Sequence, residues 1–422
     1  MFDRDLSRRE AMKLAVATGG ATALSACLRE ADEPVPRGTT EKLPTGQHRW
    51  NDFLTRDDAG NHELPRHHVF LSLALDGDGA PGEDDRAAVA SAMGTLDRAY
   101  EWSHEGLLSS LAYTPAYFAR FDSDLSYPLP EPRRLSPFET PEFDRQDALL
   151  HLASDRPDAL LEAERALLGE RETMNGLDVE TPLSAAFSVT HRRTGFIGPG
   201  MPAERQGEVQ GIPSGGPVPE ESPLFMGFKA GFRRNQATEA SVTIDEGPFA
   251  GGTTKHLATI RQRLDDWYGE QDFEERVVEM FSPLHAERGL VEGTGTNLGD
   301  FSGVDGEIVD TIREQAREFG RVGHAQKAAR ANRDRGGEPL LLRRHVESTD
   351  DGEASLHFPS LQTRIESFEA VREAMNGSDL TEIPTIRQRV NNGILEYIFV
   401  KRRGNYLVPP RSLRALPTPT GA

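Results

Sequence analysis

Apolar residues along this chain come in short runs broken by polar, glycine- and proline-bearing stretches. His68–Leu75 (HVFLSLAL), residues 105–114 (EGLLSSLAYT) and residues 147–154 (DALLHLAS) each have the length and bulk of a buried strand. Pro157 opens a helix from 158 to about 170, where Leu160, Ala163 and Leu167 share one face. PLSAAFSVT (182–190) reads as a fourth strand. Residues 197–223 concentrate chain breakers, among them Gly198, Pro199, Gly200, Gly215, Gly216 and Pro217, and predict a long loop or linker with no element in it. Beyond it, 256–264 and 353–362 read as strands. A helix follows with Ile365, Phe368, Val371 and Met375 at helical spacing, stopped by Asn376-Gly377. GILEYIFV and then GNYLVPP predict a closing hairpin-like pair. The pattern gives an α+β fold in two domains, residues 67–196 and 224–422, with antiparallel sheets covered by helices on one side.

Length agrees, since 422 residues suffice for two cores of ordinary size. The net charge of -20 argues against nucleic acid or an anionic membrane surface as a partner. Only six of the 48 basic residues are lysine, leaving 42 arginines. Many carboxylates with little lysine suit a halophilic source, where concentrated salt screens self-repulsion. Acidic runs such as DGDGAPGEDD (76–85) read as solvated faces.

Cys27 is the sole cysteine, so an internal disulfide is impossible. Ahead of it stand Arg8 and Arg9, a short Ala-rich apolar stretch and Leu24-Ser25-Ala26. The arrangement looks like a twin-arginine export signal (1–27) ending in a lipobox. Its apolar run is too short to span a membrane as a mature helix. Cleavage before Cys27 and lipidation there imply a protein tethered on the outer face of the cell membrane. Residues 28–66 read as the tether.

The chemistry concentrates in GHAQKAARANRDRGGEPLLLRRH, which holds His324 and Arg343. An imidazole can serve as an axial iron ligand, and a fixed positive charge near it stabilises charge developing on a bound ligand. Four further blocks accompany that pair. They are QDALLHLASDRPDALLEAERALLG (146–169), GFKAG (227–231), GPFAGGTTKHLATIRQRLDDWY (247–268) and GILEYIFVKRRGNYLVPP (393–410). In order and spacing they resemble the dye-decolorising peroxidases over roughly residues 45–412.

That resemblance implies two ferredoxin-like domains forming a duplicated dimeric α+β barrel, with haem b as cofactor and hydrogen peroxide and a small reductant as substrates. It makes His324 the proximal iron ligand and Arg343 the distal arginine, with Arg344 in its place if the register slips by one. GFKAG stands where the family has Gly-x-x-Asp-Gly, so Gly227, Phe228 and Gly231 fall beside the macrocycle. The motif's acid-base aspartate is replaced by Ala230, which cannot carry a proton. Glu396 falls where the family has the acid behind the proximal imidazole. The other reading of Glu396 is a wet strand face beside Arg402 or Arg403. Phe358 and Leu361 match apolar pocket positions. His191, His357 and Asp245 are the candidates to replace the lost acid, and His67-His68 reads as structural. Gln326 and Ala331 replace basic residues of the family pattern.

Three functions remain open at this point. The chain is an exported haem peroxidase, a haem- or iron-handling protein with little turnover, or a cofactor-free surface protein of the same fold.

Overall fold

Eight antiparallel strands close on themselves. The computed structural model describes residues 34–421, so the export signal and Cys27 lie outside the described residues. The main elements in chain order are β1 (His67–Leu75), α1 (Glu83–Ala99), β2 (Leu108–Tyr113), β3 (Ala148–Ser154), α2 (Pro157–Leu167) and β4 (Phe187–Phe196). They continue with β5 (Thr253–Gln262), α3 (Phe273–Met280), α4 (His324–Ala331), β6 (Val346–Ser348), β7 (Ser355–Gln362), α5 (Ile365–Ala374) and β8 (Ile398–Val408). Around the ring the order is β6-β4-β1-β3-β2-β8-β5-β7, and β7 pairs back onto β6. Each half of the chain supplies four neighbouring strands. The halves meet at two thin seams, each a single register pair, Leu407 with Tyr113 and Glu347 with Phe196.

Closure leaves every strand one face toward the barrel interior and one toward the helices, and successive side chains alternate between them. On β1, Val69, Leu71, Leu73 and Leu75 join the core under α1 and α2. Phe70 points inward to Leu149, Leu257 and Tyr406. His68 lies within the barrel too, its Nδ1 2.9 Å from His151 Nε2, which fits its structural reading. On the second half the same alternation sends Lys255 and Leu361 inward, and Ala258, Ile260 and Phe358 outward.

The observed elements correct several sequence expectations. Residues from 34 onward belong to the fold rather than to a tether: Trp50 is 1% exposed, and Gln47 Nε2 donates to the Leu111 and Pro409 carbonyls at 3.1 and 2.9 Å. The acidic run includes a helix start, because Glu83, Asp84 and Asp85 occupy the first turn of α1, where negative charge meets the positive end of the helix dipole. In the fourth expected strand a 3-10 turn at Leu183–Ala185 comes first, and β4 then runs on to Phe196. The Gly/Pro run holds a short helix, Met201–Arg205, which packs Met201 into the second core. The closing hairpin is a 3-10 turn, Gly393–Glu396, followed by one long strand paired with β5. A register shift between Val400 and Arg402 keeps Ile398, Val400 and Arg403 on one face. Among the described residues no helix is long and apolar enough to cross a membrane.

Leu150 on β3 is fully buried in the core beneath α1 and α2. Leu150→Ala is expected to lower unfolding stability by about 2–5 kcal/mol. Chemical denaturation checks this, and a midpoint equal to wild type contradicts the core assignment.

Candidate functional site

The outer face of the second-half strands is covered by α4, the end of α3 and the segment around 224–235, which leave cavities between them and the sheet. One, of about 160 Å³, is lined by His324, Arg343, Phe228, Phe281, Phe358 and Ile394 among others. A neighbouring cavity of about 620 Å³ shares Lys229, Ala230, Gly231, Arg343 and His345 with it. A third, of about 100 Å³, again borders His324, Arg343 and Phe358 and reaches α5. Arg343 thus touches all three, and the shared walls make them one system within the size range of small-molecule sites.

His324 is the first residue of α4, and two glycines hold it there. A Cβ on Gly323 would lie 1.9 Å from the Phe281 carbonyl oxygen, and one on Gly393 would lie 2.9 Å from the His324 nitrogen. The backbones on either side of His324 therefore approach as only glycine allows. The Gly323 N–H donates to Gln326 Oε1 at 2.8 Å, closing the helix start, so the glutamine found in place of a basic residue does local structural work. Among the described residues the imidazole of His324 makes no hydrogen bond. Burial, with the positive charges of Lys327 and Arg343, lowers its pKa to about 3. It is a neutral imidazole facing an apolar space.

Arg343 lies on a two-residue strand, Leu342–Arg343, attached to β7. Gln236 Oε1 accepts from its backbone N–H at 3.0 Å and from Nε at 3.1 Å, and the Asn235 carbonyl accepts from Nη2 at 3.3 Å. No carboxylate pairs with it among the described residues. Burial and the charge of Arg333 bring its pKa down to about 10, so it stays a cation at neutral pH. Arg344 points the opposite way, hydrogen-bonded to Glu239 and stacked 4.6 Å over Trp50. Of the two arginines only Arg343 lines the cavities that also hold His324, while Arg344 borders the larger neighbouring one.

The same alternation adds two residues that sequence reasoning missed. Arg343, His345 and Glu347 are spaced by two, and all three line the cavity of about 160 Å³, while Val346 between them packs into the barrel. Nδ1 of His345 is buried without a hydrogen-bond partner. Burial and then Arg343 lower its pKa to about 3. Glu347 accepts from the Phe225 N–H at 2.8 Å and from the Gln262 amide, yet burial outweighs both and raises its pKa to about 8. The two-residue period in RRHVE was the available signal.

Other expected site residues divide. Phe228, Gly231 and Phe358 line the cavities. Gly227 instead turns its Cα toward Tyr268 and Pro219. Leu361 stands three residues from Phe358, so its parity is opposite and it faces the barrel interior with His48 and Lys255. Glu396 is on the 3-10 turn before β8, where its charge acts on Glu279, Tyr397 and Arg389 and not on His324. Neither expectation for Glu396 holds: it is not the partner of His324, and it does not sit on a strand. His191, His357 and Asp245 all lie outside the cavity walls.

Glu347 gives a pH prediction. Its carboxyl is held about 8 in the folded chain against the usual 4.5, so the folded state keeps a proton that the unfolded state releases. Its burial therefore costs nothing below about pH 4.5 and costs progressively more as pH rises toward 8. Glu347→Gln is expected to match wild type in thermal stability at pH 4.5 and to exceed it at pH 8. Equal pH slopes for the two proteins contradict this.

With this geometry in place, comparison with solved structures is informative about fold. A haem-bound variant of DypB from Rhodococcus jostii RHA1 superposes with a TM-score of 0.57 at 16% identity, covering 88% of this chain and 98% of that one. A second crystal form of the Rhodococcus jostii protein gives 0.56 at 17% identity over 85% and 96%. The dye-decolorizing protein from V. cholerae gives 0.50 at 13% over 86% and 98%. At such identities the likeness establishes the α+β fold with its closed antiparallel sheet. No curated protein matches the sequence. The profile of one family, DUF7405, matches residues 65–410, and the chain belongs to that family, described as one of unknown function.

Proposed function

We propose that this protein binds haem b in the cavity system beside α4 and acts on hydrogen peroxide. The observation that carries the reading is the pairing of two uncompensated groups, a neutral imidazole without a partner and a cation without a carboxylate, facing one largely apolar space. Among the described residues no group of three or more histidine, cysteine or acidic side chains is placed to hold a bare metal ion. A metal carried in a macrocycle brings its own ring nitrogens and needs only one protein ligand on that side. His324 fits that requirement, with Phe228, Phe281, Phe358 and Ile394 supplying apolar walls. The solved structures that share the fold include haem complexes of DypB, which supports the same assignment.

Haem, when bound, supplies the iron that activates the peroxide bond. The chain's own groups do the rest. His324 holds the cofactor through a neutral nitrogen. Arg343, fixed by Gln236 and Asn235, stabilises negative charge arising on the oxygens. The apolar wall excludes water and strengthens that interaction. The two sets of four strands, each with helices between them, read as duplicated ferredoxin-like units, the second of which carries the site. Export by the twin-arginine route, lipid attachment at Cys27, an extracellular position, a halophilic source and a small-molecule reductant belong to the same proposal and rest on sequence alone.

A second reading has a specific observation behind it. Ala230 offers no acid, and Glu396 does not support the imidazole, so a haem-holding protein with little turnover also fits.

Wild-type protein mixed with hemin in concentrated salt is expected to show a Soret band that His324→Ala loses. Equal bands in both overturn the reading. Arg343→Leu is expected to keep the band and to lower peroxide turnover on the order of 10²-fold. Unchanged turnover with an intact band removes Arg343 from the chemistry.

A further inference from the structure

We propose that His345 is the proton-transfer group of this cavity, in the role that Ala230 cannot fill. The proposal rests on the haem reading above and deepens it. Ala230 and His345 line the same two cavities, so the imidazole borders the space where the missing carboxylate is expected. The ring is fixed: it stacks on Phe358 at 6.0 Å between centroids with 15° between planes. Its Nδ1 is buried and bonded to nothing in the described chain. The other ring nitrogen, Nε2, is neither hydrogen-bonded among the described residues nor sealed from solvent, and it is the atom open to the cavities that His345 lines.

The surroundings suit a transient proton carrier. Arg343 lies next to the ring and disfavours the imidazolium, so a proton accepted there is readily passed on. The other charged or titratable groups on the wall of the cavity of about 160 Å³ are Lys229, His324, Arg333 and Glu347. On the larger cavity His62 and Arg344 add to these, with Asp57, Asp58, Glu63, Glu221 and Arg233 toward its far side. In the step assigned to His345, Nε2 takes the proton from one oxygen of hydrogen peroxide and returns it to the other. The O–O bond breaks, and that second oxygen leaves as water. Cleavage needs two electrons, which haem held at His324 would supply and the reductant would replace, so that protons and charge balance.

The experiment uses the full chain in concentrated salt, as wild type, His345→Ala, His345→Asn and His345→Ala combined with Ala230→Asp. The expected result is a Soret band in all four. Peroxide turnover falls on the order of 10²-fold in both single variants and recovers at least about tenfold when aspartate is added at 230. A second readout needs no haem: in ¹⁵N-histidine NMR of the cofactor-free protein, Ala230→Asp is expected to raise the His345 titration midpoint by about one unit or more, because the new carboxylate shares its space. An intact band with undiminished turnover in the single variants overturns the proposal alone, as does an unmoved His345 resonance. Absence of the band in wild type overturns the haem reading and the proposal with it.

Discussion

Strand alternation on a closed sheet is the constraint from which the rest of this molecule follows. Once β6 pairs with both β4 and β7, no strand can rotate, and each residue is committed either to the barrel interior or to the outer face. That commitment puts Arg343, His345 and Glu347 on one side and Arg344 and Val346 on the other. It also separates Phe358, which meets the cavity, from Leu361, which does not. A slip of one residue in this segment would exchange the site for the lumen.

The helix carrying His324 is subject to a different constraint. Gly323 and Gly393 allow three stretches of backbone to meet where a single added carbon would collide with Phe281 or with His324 itself. The imidazole is therefore placed by backbone packing and not by a carboxylate behind it. Arg343 is placed by an amide, Gln236, which binds its main chain and side chain together. Gln236 holds Arg343 without cancelling its charge, and the neutral His324 ring has no hydrogen-bond partner among the described residues. The site is thus pre-organised for a ligand that brings its own charge or lone pair.

Much of this was legible in the sequence, and what was not has identifiable physical causes. The strand runs at 68–75, 105–114 and 147–154 and the helix after Pro157 show themselves because their periodicity is local. His324 and Arg343 were visible as residue types at a known spacing, and the structure brings them to one cavity. Helix α1 was hidden because its acidic first turn resembles a solvated loop. Glu396 was misplaced because the apolar run GILEYIFV reads as one strand, whereas its first half is a 3-10 turn that rotates the side chain away. His345 was missed for a similar reason: it adjoins two arginines and looks like part of a basic run until the two-residue period is traced through Glu347. The 34–66 segment appeared to be a tether because its anchors, Gln47 and Trp50, are single residues with long-range partners.

Haem binding by this protein comes down to one atom-to-atom relation, that between the imidazole at 324 and a macrocyclic iron. Diffraction from crystals of the hemin-soaked full chain, collected at the iron absorption edge, measures it directly. The predicted result is a single anomalous peak within bonding distance of a His324 ring nitrogen, in the cavity walled by Phe228, Phe358 and Arg343. A peak elsewhere on the molecule, or none in crystals that remain ordered after soaking, contradicts the account.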